Sequence, residues 1–144
     1  MKTNPSKLGI TLSGVLALIV LTARVHAAAL AYTVFVTRDN NTIEKFTPEG
    51  VGSVFASSGL SSPQGLAFDS AGNLYVVNNG NNTIEKFTPE GVGSVFASAA
   101  FSNPAGLAFD SVGNLYVADL YHNAIVKFTP GGVSSIFAIN AAIR

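Results

Sequence analysis

From Gly65 to Ala97 short apolar runs alternate with polar, turn-forming clusters. Gly65-Leu66-Ala67-Phe68-Asp69 is followed by a turn at Ser70-Ala71-Gly72, and Asn73-Leu74-Tyr75-Val76-Val77 by the polar loop Asn78 to Asn82. Thr83-Ile84-Glu85-Lys86-Phe87 ends at Pro89-Glu90-Gly91, and Ser94-Val95-Phe96-Ala97 leads into a longer connection to Pro104. Runs this short, rich in β-branched and aromatic residues and punctuated by Gly and Pro, predict four antiparallel strands and leave no room for a helix.

The pattern repeats. Asn40 to Ser57 recurs unchanged as Asn81 to Ser98, and a looser copy runs from His122 to Ile139. Phe46, Phe87 and Phe128 mark a constant spacing of 41 residues, the signature of a repeat architecture. A sheet with one wet face alternates apolar and polar positions. Leu74-Tyr75-Val76-Val77 and Leu115-Tyr116-Val117-Ala118 are instead apolar throughout, so both faces need cover. Radial packing of four-stranded sheets supplies it. The expected fold is therefore all-β, a β-propeller-like array of four-stranded antiparallel blades.

Residues 104–119, Pro-Ala-Gly-Leu-Ala-Phe-Asp-Ser-Val-Gly-Asn-Leu-Tyr-Val-Ala-Asp, followed by Asn123-Ala124-Ile125-Val126-Lys127-Phe128, resemble the NHL repeat. That family's pattern is a Pro-x-Gly-apolar start, an Asp before a Gly-containing turn, a Tyr-Val-Ala-Asp-like strand, then Asn, Ile and Phe. The similarity runs over residues 32–138. It implies a propeller fold and leaves function open, because the family includes RNA-binding, protein-binding, peptidyl-processing, lyase and sensor members.

The N-terminal segment has a different character. Lys2 and Lys7 precede an uncharged apolar run from Leu8 to Ala23, with small residues at Ala27 to Ala29. This reads as a signal peptide over residues 1–31, an N-terminal signal helix cut near 27/28 or 31/32. Sixteen residues rise only about 24 Å as a helix, short of a roughly 30 Å hydrocarbon core. Membrane attachment is expected only if the segment stays uncleaved, and the mature chain is expected to be secreted, periplasmic or at the cell surface.

A shift of 41 aligns Tyr32-Thr33-Val34-Phe35-Val36 with residues 73–77. The array then comprises a three-stranded partial blade at 32–57, full blades at 58–98 and 99–138, and a tail at 139–144. Propellers typically close with about 4–8 blades, so this one is incomplete. Two readings follow: a fragment of a longer array, which is favoured, or self-association through open blade edges.

Charge and composition narrow the chemistry. Three of the eight basic residues, Lys2, Lys7 and Arg24, lie in the leader, leaving five basic against eight acidic residues, a formal balance of −3. With no basic cluster to neutralise phosphates, nucleic acid is not an expected partner. The chain has no cysteine, which excludes disulfides, thiol chemistry and Cys-ligated zinc.

Loops between second and third strands share one face with the interblade connections, and the copies differ mainly there. The candidate binding residues are Arg38, Asp39, Asn78, Asn79, Asn81, Asn82, Asp119, Tyr121, His122 and Asn123. Their Asn and Asp content suits Ca²⁺ or a polar ligand such as a sugar. Turn formation accounts for it more simply, with Asn79-Gly80 as a tight-turn pair and Asp69 and Asp110 as turn residues. No cofactor or metal is expected. Lys45, Lys86 and Lys127 read as solvated strand positions, and Asn40 and Asn81 head glycosylation sequons. His122 is the only histidine beyond the leader, and no motif ties it to a Ser, Asp or Glu, so catalysis is not expected. The functional expectation is a module binding a protein, carbohydrate or small polar ligand. The alternatives are a partial or inactive relative of a propeller lyase or gluconolactonase-type enzyme, and a purely structural cell-surface repeat.

Overall fold

The computed structural model describes residues 7–12, 17–26, 29–98 and 101–139, with side chains from Thr33 onward. Its strands are β1 (Lys7–Leu12), β2 (Ala17–His26), β3 (Ala29–Arg38), β4 (Thr42–Phe46), β5 (Gly52–Ala56), β6 (Pro63–Phe68), β7 (Leu74–Asn78), β8 (Thr83–Phe87), β9 (Gly93–Ala97), β10 (Pro104–Phe109), β11 (Leu115–Asp119), β12 (Ala124–Phe128) and β13 (Ser134–Ile139). They form three antiparallel sheets in chain order, β1 to β5, β6 to β9 and β10 to β13. The second and third sheets are the two expected four-stranded blades. β3, β4 and β5 are the expected strands of the first. Beside them the backbone of β2 and β1 continues the sheet, with Val20 opposite Phe35 and Ile10 opposite Ile19. Of the two expected cleavage points, 27/28 falls outside the described residues and 31/32 falls within β3. Among those described, no helix is long and apolar enough to cross a membrane.

The repeat is visible in the backbone irregularities. Each β-bulge between third and fourth strands falls at the same place, at Ile43/Glu44, Ile84/Glu85 and Ile125/Val126. The inner strands carry matching shifts at Pro63/Leu66 and Pro104/Leu107, each starting on a proline, which has no N–H to give the ladder. Asp69 and Asp110 are turn residues. Asp110 Oδ1 accepts from the backbone N–H of Val112 and Asn114, and Oδ2 accepts from the Asn114 side chain at 2.7 Å. These bonds, the Asn114 side chain foremost, hold the Asp110 carboxyl below the usual carboxylate range. Gly72 and Gly113 complete the turns at φ 89° and 88°, where a Cβ would be strained.

Two cores lie between the sheets. Phe35, Ile43 and Ala56 of the first sheet pack against Leu66, Phe68, Leu74, Val76 and Phe87 of the second. Tyr75, Val77 and Ile84 of the second pack against Leu115, Val117, Val126 and Phe128 of the third and against Phe101 in the connection before it. Strand β7 is buried at every position: Leu74 and Val76 enter one core, Tyr75 and Val77 the other. This is the physical reason for its uninterrupted apolar run. Where the inner strands meet, a Cβ on Gly65 would lie 2.6 Å from the Ala105 carbonyl oxygen, so only glycine permits that approach.

The pairing corrects the alignment of the first sheet. Thr37 lies opposite Ile43, as Val77 lies opposite Ile84. The match is therefore Val34 with Leu74, Phe35 with Tyr75 and Thr37 with Val77, one residue from the constant shift of 41. The hairpin linking β3 to β4 leaves three residues between Arg38 and Thr42, where its counterpart leaves four between Asn78 and Thr83. A one-residue slip reverses which face each side chain takes, and a constant period does not register the shorter loop.

Glu85 is 5% exposed in this interface. Room for it comes from two glycines, since Cβ atoms on Gly59 and Gly93 would lie 2.9 and 3.2 Å from its Oε1. Burial pushes its carboxyl above the usual value of 4.5. A raised folded-state pKa gives stability that is present below about pH 4.5 and lost as pH climbs through the folded value. Glu85→Gln is therefore expected to raise the thermal midpoint at pH 7, with a much smaller effect at pH 4. Equal shifts at both pH values would show that charge is not the cause.

Candidate functional site

On the shared loop face, hydrogen bonds clasp each blade to the next. Asn41 and Asn82 adopt left-handed backbone, φ 60° and 56°, which Asn tolerates better than most residues. The Asn41 Oδ1 accepts from Ser62 N at 2.7 Å, and the Asn82 Oδ1 accepts from Asn103 N at 3.0 Å. Each acceptor belongs to one blade and each donor to the next. Thr37 adds a third such bond, donating to the Gln64 carbonyl at 3.2 Å.

The expected Asn79-Gly80 tight turn is replaced by a different arrangement. The left-handed residue is Asn82, while Asn79 N and Gly80 N donate to the carbonyls of Ser62 and Ser61. Gly80 is small for contact reasons, since a Cβ there would sit 2.6 Å from Ser61 Oγ. The Asn79 side chain donates to Pro104 O at 3.0 Å and to Asn103 Oδ1 at 2.5 Å, again between blades.

One position organises this face in the second and third blades, while its register counterpart in the first, Arg38, is exposed. In the second it is Asn78, fully buried, which accepts from Ser61 N at 3.1 Å and donates to Gly59 O at 2.7 Å. In the third it is Asp119, 2% exposed, whose Oδ1 accepts from Ser102 N at 3.2 Å and His122 N at 3.3 Å. A carboxylate cannot donate as the amide does. Its Oδ2 instead meets His122 Nδ1 at 2.8 Å. No sequence motif ties an acid to His122, but the fold supplies one: residues three apart across a hairpin loop are brought together because the first is anchored at the strand end.

The candidate residues consequently divide. Asn78, Asn79, Asn82 and Asp119 are engaged in the scaffold. Arg38 is exposed and ion-paired with Glu44 at 2.5 Å, and Asp39, Asn81 and Asn123 are exposed. Tyr121 is 74% exposed and meets the His122 ring edge-on, with centroids 5.6 Å apart. Leu120, absent from the sequence-based set, is 53% exposed beside them. The apolar side chain in an otherwise polar loop was its only signal. Lys45, Lys86 and Lys127 lie over the rings of Phe55, Tyr75 and Tyr116 at 6.0, 5.3 and 5.8 Å.

Two open grooves flank this loop. One, about 410 Å³, runs between Leu120, Asn123, Ile125 and Ile139; the other, about 510 Å³, joins Asp119 and His122 to Ser134, Ser135 and Ile136. Both fall in the size range of small-ligand sites. Among the described residues no group of three or more His, Asp or Glu side chains could hold a metal ion.

The NHL repeat family matches residues 60–87 and 101–128. No curated protein matches the chain. Among solved structures, virginiamycin B lyase from Staphylococcus aureus superposes with a TM-score of 0.70 at 17% identity, covering 99% of this chain and 55% of that one. A catalytically inactive histidine-to-alanine form of the same organism's lyase, with quinupristin, gives 0.67 at 15% identity, covering 95% and 61%. A chain of a nidogen/laminin complex gives 0.69 at 20% identity, covering 88% and 60%. This chain therefore spans a little over half the length of each structure. At such identities the likeness is one of fold. Two matches to the NHL repeat one period apart, each lying within one four-stranded sheet and its lead-in, show that residues 60–87 and 101–128 are similar to that repeat, in a chain whose fold is that of β-propeller blades.

Proposed function

We propose that the chain is an exported propeller segment that acts as a binding module, with its contact surface at the β11–β12 loop. The observation that carries this reading is the division of labour on the loop face. Asn78, Asn82 and Asp119 are occupied holding the backbone, while Leu120, Tyr121 and His122 project outward from a loop so braced. An exposed aromatic on a rigid support loses little conformational entropy on binding, and such residues dominate protein interfaces. The nidogen/laminin neighbour supports a protein as the partner class, and the polar surround suits a carbohydrate equally. Immobilised wild-type chain is expected to retain extracellular proteins or glycans of its host that a Tyr121→Ala/His122→Ala variant releases, with the two unfolding midpoints equal. Retention by the variant would move the surface elsewhere. Export has its own readout: N-terminal sequencing of secreted material should begin at residue 28 or 32.

A second reading, a partial relative of a propeller lyase, is favoured by the Asp119–His122 pair. Asp119 fixes His122 Nδ1, and the His122 side chain, 54% exposed, borders the larger groove. That is how a base is oriented for proton transfer. The lyase neighbour whose histidine-to-alanine form is inactive was studied with quinupristin. Loss of quinupristin on incubation with wild-type chain, and not with His122→Ala, would establish this reading. An unchanged mass spectrum in both would exclude it for that substrate.

A further inference from the structure

Asn79-Gly80 is the only asparagine–glycine pair in the chain. Asparagine is thermolabile, and a following glycine carries no Cβ to keep its own nitrogen away from the preceding carboxamide. The fold ties down both groups. Gly80 N donates to Ser61 O at 3.0 Å, and Asn79 N donates to Ser62 O at 3.2 Å. The Asn79 side chain commits its amide to Asn103 Oδ1 at 2.5 Å and Pro104 O at 3.0 Å, where the third blade begins.

The third blade offers a comparison. Leu120 N and Tyr121 N make the same two backbone bonds, to Asn103 O and Ser102 O. No carboxamide stands at either position. The backbone geometry is thus shared by two blades, while the reactive pair and its bridge to the next blade belong to the second.

We propose that Asn79 is a site of spontaneous deamidation, gated by the clasp between the second and third blades, and that its products cannot re-form that clasp. When the loop opens, Gly80 N attacks Asn79 Cγ. The Cγ–Nδ2 bond breaks, and ammonia leaves with the proton that Gly80 N has lost. Water then opens the cyclic imide. Addition at Cγ gives aspartate; addition at the Asn79 backbone carbonyl carbon gives isoaspartate, whose main chain runs through Cβ and Cγ. Water is the only co-reactant, and nothing is oxidised or reduced. Aspartate has no N–H for Pro104 O or Asn103 Oδ1 and sets a negative charge against both oxygens. Isoaspartate inserts a methylene between the two N–H groups that face Ser62 and Ser61, so both bonds cannot be kept. Either product loosens the second blade from the third, beside the core that Val77, Ile84 and Phe128 share.

The proposal is independent of the loop-face reading, since neither Tyr121 nor His122 takes part. To test it, the full chain is incubated at mildly alkaline pH, folded and in urea, and conversion at Asn79 is followed by peptide mass and charge. Conversion is expected to be at least about tenfold slower in the folded chain, where ring closure waits for local opening. The acidic fraction that forms from folded chain, isolated by ion exchange, should unfold several degrees below untreated chain. Asn79→Asp should reproduce part of that drop. Asn81→Asp should leave the midpoint unchanged, because Asn81 is exposed and a carboxylate there still accepts from Thr83 Oγ1. Equal rates in the two conditions would overturn the gating. An acidic fraction as stable as untreated chain, or equal drops from the two aspartates, would overturn the loss of the clasp. Conversion at other asparagines in place of Asn79 would overturn the site itself.

Discussion

Phe87→Ala is expected to lower the unfolding free energy by about 3–5 kcal/mol, the range for removing a buried phenylalanine. With whole-domain stabilities of about 5–15 kcal/mol, this is the largest effect a single core substitution is expected to have here. Phe87 is 0% exposed, packs on Phe55 of the preceding blade, and lies so close to β9 that a Cβ on Gly93 would come within 2.7 Å of the ring. Phe46 offers an internal comparison. It sits in an identical run of eighteen residues and crosses Gly52 at the same 2.7 Å, yet it is only half-buried. Phe46→Ala should therefore cost roughly half as much, in keeping with area-based transfer energies. Urea midpoints with the slopes compared would measure both. Equal losses would mean that contacts within each sheet, and not the interface between sheets, set the energy.

Replacing Asp119 should separate stability from histidine geometry. Asp119→Ala removes the acceptor of the half-buried Ser102 N–H, weakens the tie to the His122 backbone and frees the imidazole, so about 2 kcal/mol of stability should be lost. Asp119→Asn keeps an acceptor in place. Asn78 shows that an amide fits the equivalent position, where it accepts from Ser61 N. Its cost should stay below about 1 kcal/mol, while the strong carboxylate acceptor for His122 Nδ1 is gone. Nitrogen chemical shifts of His122 would report this as a change in tautomer balance toward that of a free imidazole. If Asn proved as destabilising as Ala, the charge of Asp119 and not its acceptor geometry would be holding the loop.

Much of the architecture was legible because the signals are local and periodic. Turn residues such as Asp110 and Gly113 act through bonds spanning four residues, and the repeat displays the same device more than once. The uninterrupted apolar run of β7 implied cover on both faces, and each half of that run enters a different core. The candidate loops stand out for the same reason, as the places where near-identical copies diverge. Legibility failed where one residue of loop length mattered. The shorter hairpin after β3 shifted the register of Phe35, and no periodic count exposes a missing loop residue.

The blade itself is written in the sequence: its four strands, its turns, the 41-residue spacing and the uninterrupted apolar run that commits both faces to packing. These follow from backbone sterics and side-chain periodicity, which operate within a few residues. What each copy does with that blade depends on its neighbours in three dimensions. Ile43, Ile84 and Ile125 occupy one position in three strands, yet two are sealed and one is open, because burial depends on the neighbour and not on the residue. Asn78 and Asp119 likewise share one place, and the third blade acquires its oriented histidine because a carboxylate that cannot donate turns to the imidazole three residues on.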